Sequence, residues 1–89
     1  MIHARKAKIK TYKQQAILEG ADFKQAKEII KQANALIKEA IRDGKLETRP
    51  LIIAGCSEAT FKLIKSKLLS KCYFFTLTDN NQVLKIFWE

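Results

Sequence analysis

The first nineteen or so residues alternate polar and apolar positions with the period of an α-helix. The pattern predicts one helix over residues 2–19, which Gly20 interrupts. We expect its apolar side to be formed by Ile2, Ile9, Tyr12 and Ile17.

A second helix is predicted to begin after Asp22, which is a good N-cap residue. Gln25 stands three residues later, as a capping box requires, and the helix is expected to end near Arg42 and Gly44. Its apolar residues follow a 3-4-3-4-3 spacing with alternating large and small side chains. We expect this stripe to face the core, and it consists of Phe23, Ala26, Ile30, Ala33, Ile37 and Ala40.

The second half of the chain predicts shorter elements. A proline fits only at the start of a strand or in an edge strand, so a strand is expected at 51–54, directly after Pro50, with its pairing left open. A third helix is predicted over 58–70, capped by Ser57. Its inward side chains should be Phe61, Ile64 and Leu68.

Residues 72–88 read as an antiparallel hairpin. "CYFFTL" and "VLKIFW" are strand-like, and "DNN" at 79–81 supplies residues that tolerate left-handed conformations. The period of two predicts that Tyr73, Phe75 and Leu77 face the helices. Phe74 and Phe87 should then point outward together and form an oligomer interface, for which a dimer is the simplest case.

These elements follow the order α-α-β-α-β-β. Helices packed on one face of a small sheet define an α+β fold, and residues 1–89 are expected to form a single small domain. A chain of this size has a thin core, which also favours a homo-oligomer.

The charge is high and uneven. The chain has 17 Lys and Arg residues against nine Asp and Glu residues, for a net charge of +8. Bases without acids fill residues 1–18, and four lysines accompany Glu58 alone in residues 57–71. This distribution predicts an anionic partner held from two sides. The alternative is that the lysines only keep a small protein in solution.

Residues for catalysis or metal binding are scarce. His3 is the only histidine, and Cys56 and Cys72 do not have the spacing of a metal site. Cys56 at a helix start could have a lowered thiol pKa, but with no base expected beside it an inert, packed thiol is favoured. We therefore expect no enzyme, no cofactor and no metal. The basic N-terminus lacks the apolar stretch of a secretory signal, which predicts a cytoplasmic protein.

The first candidate site is the basic N-terminal helix. An arginine can bind phosphate bidentately, lysines act as point charges, and a tyrosine can stack on a base. The residues predicted to do this are Arg5, Lys6, Lys8, Tyr12 and Lys13. The alternative is a solvated amphipathic helix whose tyrosine joins the core.

The second candidate site is the stretch "GCSE" at 55–58. A glycine turn that leads into a helix start exposes amides to an anion, so Gly55, Ser57 and the nearby Lys62 are candidate ligands. The alternative is a plain strand-to-helix turn, since Glu58 places a negative charge where the phosphate would sit.

Four short motifs spread along the chain occur together in one group of proteins. They are "HARKAK" at 3–8, "EAIRDGK" at 39–45, "CYFF" at 72–75 and "IFW" at 86–88. Over nearly its whole length the chain resembles small phage-encoded α+β proteins, with Cys72 where that group usually has glycine. Some small phage proteins of similar size and layout sequester nucleotide second messengers against host immunity.

The resemblance and the charge together favour a binding protein. The leading hypothesis is a phage accessory protein that captures a phosphate-bearing small molecule, such as a cyclic or ADP-ribose-type nucleotide, in the host cytoplasm. The alternatives are a small nucleic-acid-binding protein and an inhibitor that docks on an acidic host protein.

Overall fold

A computed structural model describes residues 3–53, 55–80 and 82–88 and confirms the α+β architecture. Three residues included in the expectations above, Ile2, Ala54 and Asn81, lie outside these ranges. The element order is the predicted one. The elements are α1 (Ala4–Leu18), α2 (Phe23–Arg42), β1 (Leu51–Ile52), α3 (Glu58–Ser70), β2 (Phe74–Thr78) and β3 (Val83–Phe87).

The sheet has three strands in the order β1-β3-β2, and both pairings are antiparallel. The predicted hairpin is confirmed, with Phe75 opposite Ile86. The pairing of the first strand, which the sequence left open, is with the other side of β3, where Leu51 lies opposite Leu84.

β1 covers only the first two residues of the predicted span, and the chain before Pro50 pairs separately with the end of β3. Thr48 donates its N–H to the carbonyl of Ile86 (2.8 Å) and accepts the N–H of Ile86 on its hydroxyl (3.1 Å). The Thr48 hydroxyl oxygen thus takes the place of a backbone carbonyl as the acceptor for Ile86, at a point where no regular strand lies beside β3. The N–H of Ile53, just past β1, still donates to the carbonyl of Gln82 (2.8 Å).

All three helices end in the same hydrogen-bonded turn, in which the residue after the cap adopts a positive φ. Gly20 and Gly44 do so after α1 and α2, with φ of 78° and 70°. After α3 this position is held by Cys72, which has a φ of 64°. The N–H of Tyr73 donates to the carbonyl of Leu68 (3.0 Å). A side chain therefore occupies a backbone position that suits glycine.

The core lies between α2, α3 and the inner face of the sheet. Ile64 of α3 and Leu84 and Ile86 of β3 are fully buried. The inward prediction for Tyr73, Phe75 and Leu77 is confirmed, since all three pack against this core. The ring of Phe75 meets that of Phe61 edge to face, at 5.6 Å between centroids.

The predicted core stripe of α2 is wrong at its first residue. Phe23 is 58% exposed, whereas Ile29, which the stripe omits, is buried. At 100° per residue the buried arc of α2 is centred near Ala33, and Phe23 and Ile30 fall at its edge on the side of α1. Tertiary packing covers the centre of the arc and leaves that edge partly open.

The predicted apolar side of α1 also needs correction. Ala16 is its buried residue, Ile9 and Tyr12 are half-buried, and Ile17 is 54% exposed. α1 packs on α3 through positions 9, 12 and 16, and a helical step of 100° turns Ile17 away from that contact. The close approach of the two helices therefore depends on a small side chain.

Candidate functional site

Four cations of α1 converge on one open depression between the start of α1 and the end of α3. They are Arg5, Lys6, Lys10 and Lys13. Positions five to thirteen span about two helical turns, so these side chains project along one side of the helix. Ile9 forms part of the floor and His3 part of the rim, and the volume is about 660 Å³. We call this surface the basic depression.

The charge of the basic depression is not compensated locally. No carboxylate lines it among residues 3–53, 55–80 and 82–88. The ion pairs in the same ranges lie elsewhere, between Glu19 and Lys62, Glu39 and Arg49, and Glu47 and Lys85. Like charges that converge without counter-charges raise the local potential and attract anions.

Arg5 is oriented by a contact across the helix pair. Its Nη1 donates to Sγ of Cys72 at 2.8 Å. The contact involves the residue that ends α3 with a positive φ. It holds one guanidinium edge towards α3, and the opposite edge keeps donors for a ligand.

Two residues of the predicted N-terminal site lie away from the basic depression. Tyr12 packs under the ammonium of Lys65, which sits 4.5 Å from the ring centroid. This cation–π contact occupies the ring face that a nucleobase would need. Lys8 is exposed and does not line the depression.

The second predicted site forms its own hollow at the start of α3. Gly55, Ser57 and Lys62 line it together with Glu58 and Lys65, and its volume is about 450 Å³. The structure thus brings the three residues of the second site together, but it places the two candidate sites at opposite ends of α3. Gly55 has a φ of 82°, which is the reason for glycine at this turn.

Several donors at the start of α3 are engaged within the protein. The hydroxyl of Ser57 accepts the N–H of Thr60 (3.1 Å) and donates to its hydroxyl (2.8 Å). Lys62 is bound to Glu19 at 2.8 Å, and the N–H of Cys56 donates to the carbonyl of Ile53. These contacts occupy Ser57 and Lys62, two of the three residues predicted to bind an anion here.

Cys56 does not have the environment of an activated thiol. Partial burial raises the pKa of the Cys56 thiol, because desolvation disfavours the charged form. This is opposite in direction to the lowering that a helix start alone can produce.

The predicted interface pair lies together on the outer face of the sheet. Phe74 and Phe87 are opposite each other across β2 and β3, and their rings stack with 5.7 Å between centroids. Phe74 is 55% exposed, and Ile52 on the same face is 71% exposed.

The structure places two lysines in these sites that the sequence did not predict. Lys10 lines the basic depression, and Lys65 lines the hollow at the start of α3. The spacing of Lys6 and Lys10, four residues apart on a helix, was a usable signal for the first. The spacing of Lys62 and Lys65, three residues apart on α3, was a similar signal for the second.

Among the described residues, no group of three or more His, Cys, Asp and Glu side chains is arranged to hold a metal ion. None of the helices in those ranges combines the length and the apolar character needed to cross a membrane. Comparisons with known protein families, curated protein sequences and solved structures give no match.

Proposed function

We propose that this protein is a non-enzymatic phage accessory protein that captures a phosphate-bearing small molecule in the basic depression. The ligand class is a cyclic or ADP-ribose-type nucleotide signal, and its sequestration in the host cytoplasm counters defence. The observation that carries the proposal is the convergence of Arg5, Lys6, Lys10 and Lys13 on one concave surface that no described carboxylate lines.

The chemistry of this surface suits a compact polyanion. The free edge of the Arg5 guanidinium can donate two parallel hydrogen bonds to one phosphate. The lysines add point charges that neutralise a second phosphate. The volume of about 660 Å³ lies within the range of small-molecule pockets. Because Tyr12 is covered by Lys65, a nucleobase would rest on the apolar floor at Ile9.

A second candidate is a nucleic acid. The observation that favours it is a further set of basic residues on α3, where Lys67 and Lys71 line a hollow between α2 and α3. A longer strand would contact more phosphates than a nucleotide, so its affinity would fall more steeply with salt.

The experiment begins with mass spectrometry of small molecules released by heat from the purified protein. Titration calorimetry then compares the released nucleotide with single-stranded DNA at two salt concentrations. Arg5→Ala and Lys10→Ala should each weaken nucleotide binding about tenfold, as expected for a lost charge-assisted contact. Lys8→Ala is the matched control and should leave it unchanged. If the three variants weaken binding equally, or no nucleotide binds, the proposal fails.

A further inference from the structure

Two apolar residues of α2 that the core does not fully cover, Phe23 and Ile30, lie in a groove between α1 and α2. α1 and α2 each pack on α3, whereas they barely contact each other. The surface of α3 between them is therefore not covered by either helix. Phe23 and Ile30 of α2, Ile9 of α1 and Leu63 of α3 line this groove. We call it the interhelical groove.

The interhelical groove has an apolar floor and cationic margins. Its volume is about 540 Å³, and Lys13, Lys27 and Lys67 border it on all three helices. No carboxylate lines it among residues 3–53, 55–80 and 82–88. An apolar strip with like charges on both sides is complementary to a helix that has leucine-like residues on one face and acids beside them.

We infer that the interhelical groove docks an amphipathic acidic α-helix of a partner protein. Phe23 is 58% exposed although it belongs to the apolar stripe of α2, and the partner would cover this side chain. The interhelical groove shares Ile9 and Lys13 with the basic depression. The partner is nevertheless of a different class from the phosphate-bearing ligand, so the inference goes beyond the proposed function.

The charge pattern selects this occupant over the others. A second copy of the chain carries a net charge of +8 and is repelled by the lysine margins. A nucleic acid would satisfy Lys27 and Lys67 but would leave Phe23 and Ile30 exposed to water. Only a partner with both acids and apolar side chains uses the floor and the margins together.

The test uses the full chain and a fluorescently labelled designed peptide, about three heptads long, with leucine on one helical face and glutamate on the rest. Fluorescence anisotropy should show saturable binding to this probe. A peptide of the same pattern with lysine in place of glutamate should not bind, and a scrambled acidic peptide of equal charge should bind at least about tenfold more weakly.

Two pairs of variants locate the site. Lys27→Glu should weaken binding about tenfold or more, whereas Lys31→Glu, the same change on an exposed residue of α2 outside the groove, should have a much smaller effect. Phe23→Ser should also weaken binding, while Ile41→Ser, which alters a residue of α2 that is 60% exposed, should not. Circular dichroism melting verifies that the four variants fold.

Several results would overturn the inference. Equal losses for Lys27→Glu and Lys31→Glu would indicate general attraction to a basic protein. Insensitivity to Phe23→Ser, with single-stranded DNA bound more tightly than the peptide, would assign the groove to nucleic acid. Nucleotide capture should be unchanged by Phe23→Ser and weakened by Arg5→Ala, so failure of this inference is distinguishable from failure of the proposed function.

Discussion

The backbone N–H of Asp22, the cap of α2, donates to the hydroxyl oxygen of Thr60 in the first turn of α3 at 2.9 Å. The Thr60 side chain is almost completely buried, and its oxygen also accepts the hydroxyl of Ser57. One hydroxyl thus joins the starts of two parallel helices. The capping box expected at Asp22 is only half formed, since the Gln25 side chain donates to the carbonyl of Gly55 instead.

Thr60→Val should destabilise the fold by about 1–3 kcal/mol, because it removes one buried acceptor that serves two donors. Urea denaturation followed by circular dichroism measures the change. Thr11→Val is the control, since the exposed Thr11 hydroxyl bonds only to the carbonyl of Ala7 on its own helix. Equal effects of the two substitutions would contradict the role given to Thr60.

Cys72→Gly should stabilise the protein by about 0.5–1 kcal/mol. The left-handed conformation at Cys72 costs an L-residue about 1–2 kcal/mol, which glycine avoids. Part of this stabilisation is lost because glycine makes the unfolded chain more flexible and so raises the entropy cost of folding. Cys72→Ala is the control, because it also removes the Arg5 contact but keeps the backbone strain. A melting temperature of the glycine variant at or below that of the alanine variant would refute the argument.

Cys56 should react slowly with iodoacetamide at pH 8. The thiolate is the reactive form, and burial raises the pKa of Cys56, so its reactivity should begin at a higher pH than in an unfolded peptide. Mass spectrometry of alkylation in a Cys72→Ser background reports Cys56 alone. Alkylation faster than that of a short cysteine peptide would reverse the conclusion.

The paired substitution Phe74→Ser and Phe87→Ser should shift the protein towards monomer in sedimentation equilibrium. These stacked rings lie on the sheet face opposite the helices, where the Lys85 charge is paired with Glu47. Chains of net charge +8 meet most easily at such a neutral face. Phe23→Ser, at similar exposure on the helical side, should leave the mass unchanged. A monomer in the unmodified protein at micromolar concentration would exclude this interface.

Glu58→Gln should leave nucleotide affinity unchanged, because capture is assigned to the basic depression. If the start of α3 held the phosphate, removing the negative charge beside it would tighten binding. Titration calorimetry distinguishes the two outcomes. Gly55→Val is a poor test of the same question, since a β-branched residue at a φ of 82° is strained even where space is open.

Sequence reasoning was most successful where the interacting groups are close along the chain. The Asp22 cap of α2 and the Ser57 cap of α3 form as expected. Asp79 and Asn80 adopt positive φ in the hairpin turn, and the period of two places Phe74 opposite Phe87 on the outer face. Local sterics and hydrogen bonds determine these features, so neighbouring residues are sufficient to predict them.

The candidate site could be predicted only in part. A basic N-terminal helix and a turn at Gly55 were visible in the sequence, but their separation to opposite ends of α3 was not. Nor did the sequence tell Lys8 from Lys10, or indicate that Lys65 covers Tyr12. These outcomes depend on how α1 lies on α3.

The sequence alone determined the order of the elements, the starts of α2 and α3 and the presence of the hairpin, because caps, turns and side-chain period act over a few residues. Only the tertiary structure decided the antiparallel pairing of β1 with β3, the acceptor for Asp22 in Thr60, and the exposure of Phe23. Each depends on packing between distant segments. One apolar arc on α2 can be covered at its centre or at its edge, and only the positions of α1 and α3 select between them.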